Sequence, residues 1–137
     1  MFKLTLVTPE KKLVMEQDVE SVIVPAFKGE LNILSGHTPL ITTLETGVVK
    51  WKEKGKENYN YAVVSWGYCE IFPGGVDILA DVADLPADVD AEECKKFISD
   101  SEKRLNTEVL DDDTFTDISR EIVRKRADIE ISKYKLN

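Results

Sequence analysis

The sequence predicts a β + α chain: an N-terminal β-sandwich or flattened barrel over residues 1–86, then a C-terminal antiparallel two-helix hairpin over residues 87–137. Three observations predict it. Apolar and polar residues alternate through residues 2–82, interrupted by turn residues about every ten positions. After Pro86 the apolar spacing changes to threes and fours. The basic residues change at the same place: residues 1–86 hold eight lysines and no arginine, whereas Arg104, Arg120, Arg124 and Arg126 all follow Pro86.

Taken in order, Phe2, Leu4 and Leu6 alternate with Lys3 and Thr5, the period of a half-buried strand. Val49 and Trp51 repeat the pattern, and Tyr59, Tyr61 and Val63 share one face of a further run. Turns are predicted at Pro9-Glu10-Lys11, Lys28-Gly29-Glu30, Lys54-Gly55-Lys56 and Pro73-Gly74-Gly75. Many short strands at such intervals suggest a sandwich or flattened barrel. Beyond Pro86, Cys94, Phe97, Ile98, Ser101 and Leu105 form one helical stripe, opened by Asp90 and Glu93 at capping-box spacing. The acidic stretch 106–113 breaks it, and Asp113 or Thr114 is placed to cap a second helix. There Phe115, Ile118, Ile122 and Ile129 form a stripe flanked by Val123, Ala127, Ile131 and Tyr134. Isolated helices of this length are marginal in water, so the hairpin needs a surface to pack on.

Composition narrows the function. A net charge of −8 argues against a duplex nucleic-acid binder, which needs a basic face. No apolar run is long enough to span a membrane, and the N-terminus lacks a secretion-signal layout, so a cytosolic address follows, with docking onto a membrane complex left open. Cys69 and Cys94, with a single histidine, cannot assemble a four-ligand zinc site and read as reduced thiols. His37 has no second histidine to form a catalytic system with, and neither GxGxxG nor GxxxxGK[ST] occurs. No enzyme emerges from the residues. Arg120, Arg124, Lys125 and Arg126 occupy adjacent turns, either as a solvated helix face or as a grip for an acidic partner.

Several segments carry a family resemblance. Thr8-Pro9-Glu10, Gly29-Glu30-Leu31, Gly36-His37-Thr38-Pro39-Leu40 and Thr46-Gly47 occur in the order and spacing of the epsilon subunit of bacterial F-type ATP synthase, called delta in mitochondria. "VSWGYCEI" and "VDILADVAD" are similar to that family's later strands, so the resemblance spans residues 4–84; the helical tail agrees only in layout. The resemblance implies a non-catalytic rotor part whose sandwich docks on the gamma subunit and the ring of c subunits. It implies coupling of proton translocation to ATP synthesis, from a peripheral place on the cytoplasmic side of the bacterial cell membrane. Glu30, Gly36 and His37 correspond to the c-ring contact. The hairpin would fold on the sandwich or extend into the alpha/beta catalytic head and inhibit hydrolysis, with Arg120, Arg124 and Arg126 meeting acidic segments there.

Two segments depart from the family pattern. Trp66 replaces the first glycine of a Gly-Gly pair. The Ile/Leu-Asp-x-x-Arg-Ala motif with which some relatives bind ATP reads here Val89-Asp90-Ala91-Glu92-Glu93-Cys94, a glutamate where an arginine would meet phosphate. Asp90 and Arg104 are left as candidate nucleotide-binding residues, and weak or no ATP binding is expected, with no other cofactor. An ATP-sensing regulatory module and an unrelated β-sandwich adaptor are the alternative readings.

Overall fold

Alternation builds the first strand: β1 (Phe2–Val7) turns Phe2, Leu4 and Leu6 into the core and leaves Lys3 in solvent. β2 (Lys12–Ala26), β3 (Gly29–Leu34), β4 (Leu40–Leu44), β5 (Gly47–Glu53), β6 (Tyr59–Phe72) and β7 (Gly75–Asp84) follow. A computed structural model describes residues 2–134. Its strands are not all short, as the sequence predicts: β2 has 15 residues and β6 has 14. These two strands serve both layers. β1 pairs with β2 and β7, β7 with β6, β6 with β5, and β5 with β2, so the ladder closes on itself as a flattened barrel. β3 lies on the later half of β2, and β4 on the later half of β6.

The closed ladder encloses one apolar core, in which Leu4, Leu6, Val19, Val22, Val49, Val64, Val76 and Ile78 are fully buried. Two non-glycine residues on the long strands take positive φ, Glu16 at 47° and Trp66 at 59°. The β1–β2 register shifts beside Glu16, so the bend there is a bulge. Trp66 explains the departure noted above: its backbone has a conformation that glycine adopts without strain. The next position admits nothing larger than glycine, because a Cβ on Gly67 would lie 1.9 Å from the Leu79 carbonyl oxygen.

A short 3₁₀ turn (Pro86–Asp88) leads into the helices α1 (Ala91–Thr107) and α2 (Asp112–Ser132). Asp90 caps α1 by accepting the backbone N–H groups of Glu92 and Glu93 at 3.1 and 3.2 Å. The return bond of a capping box, from Glu93, is absent among the described residues. The cap of α2 is Asp111, one turn's start earlier than Asp113 or Thr114; its Oδ1 accepts the Thr114 N–H at 2.7 Å. Three consecutive aspartates can each serve, and helix geometry selects the first.

The apolar residues of α2 form two faces rather than one broad stripe. Nine residues, two and a half helical turns, put Ile131 on the side opposite Ile122. The Ile118–Ile122 side turns to α1, where Lys125 Nζ lies over the Phe97 ring and Arg126 pairs with Glu102, and Ile129 reaches the second core described next. The other side, with Ala127 and Ile131, closes a second small core with Val63, Val89 and Cys94. Phe115, at the α1-facing end, is 49% exposed. α2 therefore lies between α1 and the sandwich, against β5 and β6.

Candidate docking site

Three surfaces are candidates for docking, and two of them carry predicted residues. The first is the outer edge of β3, which among the described residues pairs only with β2. Glu30, Asn32 and Leu34 alternate outward along it, and Leu31 and Ile33 point inward. At its end the chain turns at Gly36, φ 83°, and the His37 N–H donates to the Leu34 carbonyl at 3.1 Å. His37 Nδ1 lies 2.7 Å from the Thr38 carbonyl, which can only accept, so Nδ1 carries the proton. The imidazole is thereby tied to its own turn. Glu30 and the Gly36-His37 turn occupy opposite ends of β3, with about 13 Å of strand between Glu30 and Leu34. A partner must lie along the edge to touch both.

The second surface is apolar. Across β4, β6, β7 and β1, Thr43 faces Tyr68, Tyr68 faces Leu79, and Leu79 faces Val7. Ile41 is 70% exposed beside this row, and a shallow depression of about 440 Å³ opens between Val7, Pro9, Trp66, Tyr68 and Leu79. Exposed side chains of this size in one row are the composition of a docking patch.

The third is the contact between hairpin and sandwich; it engages Arg120 and Arg124, while the third arginine predicted to grip a partner, Arg126, is engaged inside the hairpin. The Arg120 guanidinium lies 3.8 Å from the centre of the Trp66 ring. Arg124 forks onto Asp84 at the end of β7, with contacts of 2.9 and 3.1 Å to Oδ2 and 3.2 Å to Oδ1, and holds Glu121 at 3.0 Å. Burial would lower the Arg124 pKa; the Asp84 and Glu121 carboxylates outweigh it, and the net direction is up. Arg126 pairs with Glu102 of α1. Past them, Tyr134 stacks on Tyr61 with ring centres 3.9 Å apart.

Asp128 sits within this contact and is 3% exposed, with Oδ1 unpartnered among the described residues. Burial, then the adjoining Asp84 carboxyl, pushes its pKa up to about 7. Sequence reasoning missed Asp128, Asp84 and the pairing of Trp66 with Arg120. The available signal was Asp128 itself, a carboxylate one turn from both Arg124 and Ile131 on a helix that must bury that side. Of the doubtful nucleotide residues, Asp90 is used as a cap, and Arg104 pairs with Glu108 at 3.1 Å, so they are not brought together around a common space. Among the described residues no cluster of three His, Cys, Asp or Glu could hold a metal, and no helix is long and apolar enough to cross a membrane.

A closed sandwich with a free edge, an apolar face and a helical hairpin folded on its side defines a docking module that carries a helical appendage. Residues 1–86 match the family described as ATP synthase, Delta/Epsilon chain, beta-sandwich domain. The chain is 54% identical over 131 residues to the ATP synthase epsilon chain of Bdellovibrio bacteriovorus, covering 96% of this chain and 94% of that one. It is 33% identical over 132 residues to the epsilon chain of Granulibacter bethesdensis, covering 96% of each. In shape it is similar to a chain of the Euglena gracilis mitochondrial ATP synthase, from an assembly of OSCP, F1 and c-ring, at TM-score 0.82 and 19% identity, covering 96% of this chain and 81% of that one. A chain from the central stalk and c-ring of the Tetrahymena thermophila enzyme is similar at TM-score 0.59 and 15% identity, covering 98% and 96%. The chain belongs to the ATP synthase delta/epsilon family, a subunit of that enzyme complex rather than its catalytic part. An unrelated adaptor is thereby excluded.

Proposed function

We propose that this chain is a central-stalk rotor subunit that couples proton translocation to ATP synthesis and restrains hydrolysis through its hairpin. The β3 edge, from Glu30 to His37, meets the c ring, and the apolar row through Tyr68 and Leu79 meets the gamma subunit. The chain is held in this way at the cytoplasmic side of the bacterial cell membrane, without spanning it.

The observation that carries the regulatory part is that the hairpin's arginines are all spent on contacts within the chain. Arg120 and Arg124 hold α2 to the sandwich, and Arg126 holds α2 to α1. Lifting α2 frees guanidinium groups able to exchange Asp84 and Trp66 for acidic segments of the alpha/beta head. Docked and extended hairpins thus compete for the same side chains. Removing residues 88–137 is expected to raise the ATPase activity of the assembled complex severalfold, and unchanged activity would refute inhibition. ATP is not the trigger in this reading. Glu93 faces outward where an arginine would meet phosphate, and Arg124 is already saturated by Asp84 and Glu121.

A further inference from the structure

We propose that Asp128 makes hairpin docking proton-sensitive: the docked hairpin holds a proton between the Asp128 and Asp84 carboxyls, and losing that proton releases α2 from the sandwich. This rests on the reading that the hairpin leaves the sandwich, and it adds the signal that makes it leave.

The geometry comes first. Asp128 is buried where α2 crosses the end of β7, and every element around it can be named. β7 contributes Asp84, and α1 contributes the Cys94 thiol. α2 itself contributes Arg124 and Lys125. Through Cys94 the site adjoins the small apolar core formed with Val63 of β6, Val89 and Ile131. Of the two cations in reach among the described residues, Arg124 is forked onto Asp84 and also held by Glu121, so its charge is already answered. Lys125 reaches toward Glu121 instead, at 3.9 Å.

A second carboxylate in such a place has no counter-ion of its own. Ionised, it faces Asp84 with Oδ1 unpaired in an apolar surround, an arrangement that costs several hydrogen bonds' worth of solvation. Protonated, it becomes a donor, and Asp84 is the acceptor beside it. Once α2 lifts, Asp128 meets water and ionises at the ordinary value of 3.8.

The sign follows from linkage. A carboxyl whose pKa is raised in the docked state stabilises docking fully below its free value, and that contribution is lost as pH rises through the docked value. Docking is therefore tightest in acid, weakens from about pH 4 to pH 7, and levels off above. The proton acts as a ligand of the docked state, and its differential affinity sets the size of the shift. With the docked value raised toward 7 and the free value at 3.8, the equilibrium for lifting the hairpin grows about tenfold or more between pH 5 and pH 7.

The test uses the isolated full-length chain, without catalytic subunits. Amide hydrogen exchange of α2, corrected for the intrinsic pH dependence of exchange and referred to β6, should show that opening grows about tenfold or more from pH 5 to pH 7. Asp128→Asn should abolish that dependence and keep α2 protected at pH 8. Opening that is flat with pH in the parent chain, or unchanged pH dependence in the variant, would overturn the latch. Should the variant misfold, ¹³C titration of the Asp128 carboxyl in the parent chain decides: a midpoint near 7 supports the latch, and one near 4 ends it. Inhibition is read separately, as ATPase activity of the complex with and without the hairpin, so either reading can fail while the other stands.

Discussion

At Trp66 two local forces act in opposite directions. A tryptophan at φ 59° stores backbone strain of about 1–3 kcal/mol that glycine would not have. Its ring, 42% exposed, is covered on one side by Arg120, a cation–π contact of about 0.5–1 kcal/mol at a partly wet site. The strain belongs to the sandwich whether or not the hairpin is docked, while the contact exists only in the docked state. Trp66→Gly and Arg120→Ala should therefore each loosen docking by about 0.5–1 kcal/mol, and the double variant by little more than either. Hydrogen exchange of α2 across the four proteins of that cycle gives the coupling. Fully additive effects would mean that the ring and the guanidinium do not support each other. Glycine at 66 should leave the sandwich itself within about 1 kcal/mol of the parent, because relief of strain offsets lost packing.

Among the elements, α1 and the barrel strands were legible because each buries one side. Period-2 alternation located β1 and β5, and the Asp90 cap located the start of α1. The length of β2 and β6 was not legible, since a bulge at Glu16 and a left-handed Trp66 interrupt alternation without ending the strand. α2 was misread in a different way. It buries two opposite sides, so Ile131 and Tyr134 looked like flanks of the Ile122 stripe when they belong to the sandwich contact. The β3 edge was recognised by its motif, but no local pattern tells that Glu30 and His37 stand at its two ends. The first turn of α1 carries its own prediction. Asp90 is committed to the backbone N–H groups of that turn, and Glu93 adds a second negative charge beside it. Calorimetric titration with ATP and Mg²⁺ should give no saturable binding below the millimolar range; a micromolar affinity would contradict the proposal that nucleotide plays no part in hairpin docking.

For the whole molecule, the two apolar cores differ in size and in what holds them shut. The barrel core is ringed by closed strand ladders, so exposing it requires unfolding the sandwich. The second core, Val63, Val89, Cys94 and Ile131, is exposed as soon as the hairpin lifts. Regions that move in function come from the low end of the range of local stabilities, and the proposed movement of the hairpin places this small core there. Each core contains one free cysteine, Cys69 in the barrel and Cys94 under the hairpin, so the chain reports on both openings itself. Burial and the neighbouring Asp77 push the Cys69 thiol up to about 12, and burial with Asp128 raises that of Cys94, so neither reacts as a thiolate while covered. Under native conditions at pH 8, iodoacetamide should modify Cys94 at least tenfold faster than Cys69, because hairpin opening precedes global unfolding. Peptide mass spectrometry over a time course gives both rates. Equal rates would mean that hairpin and sandwich open as one cooperative unit, and a regulatory hairpin that cannot open alone could not exchange Asp84 for another partner.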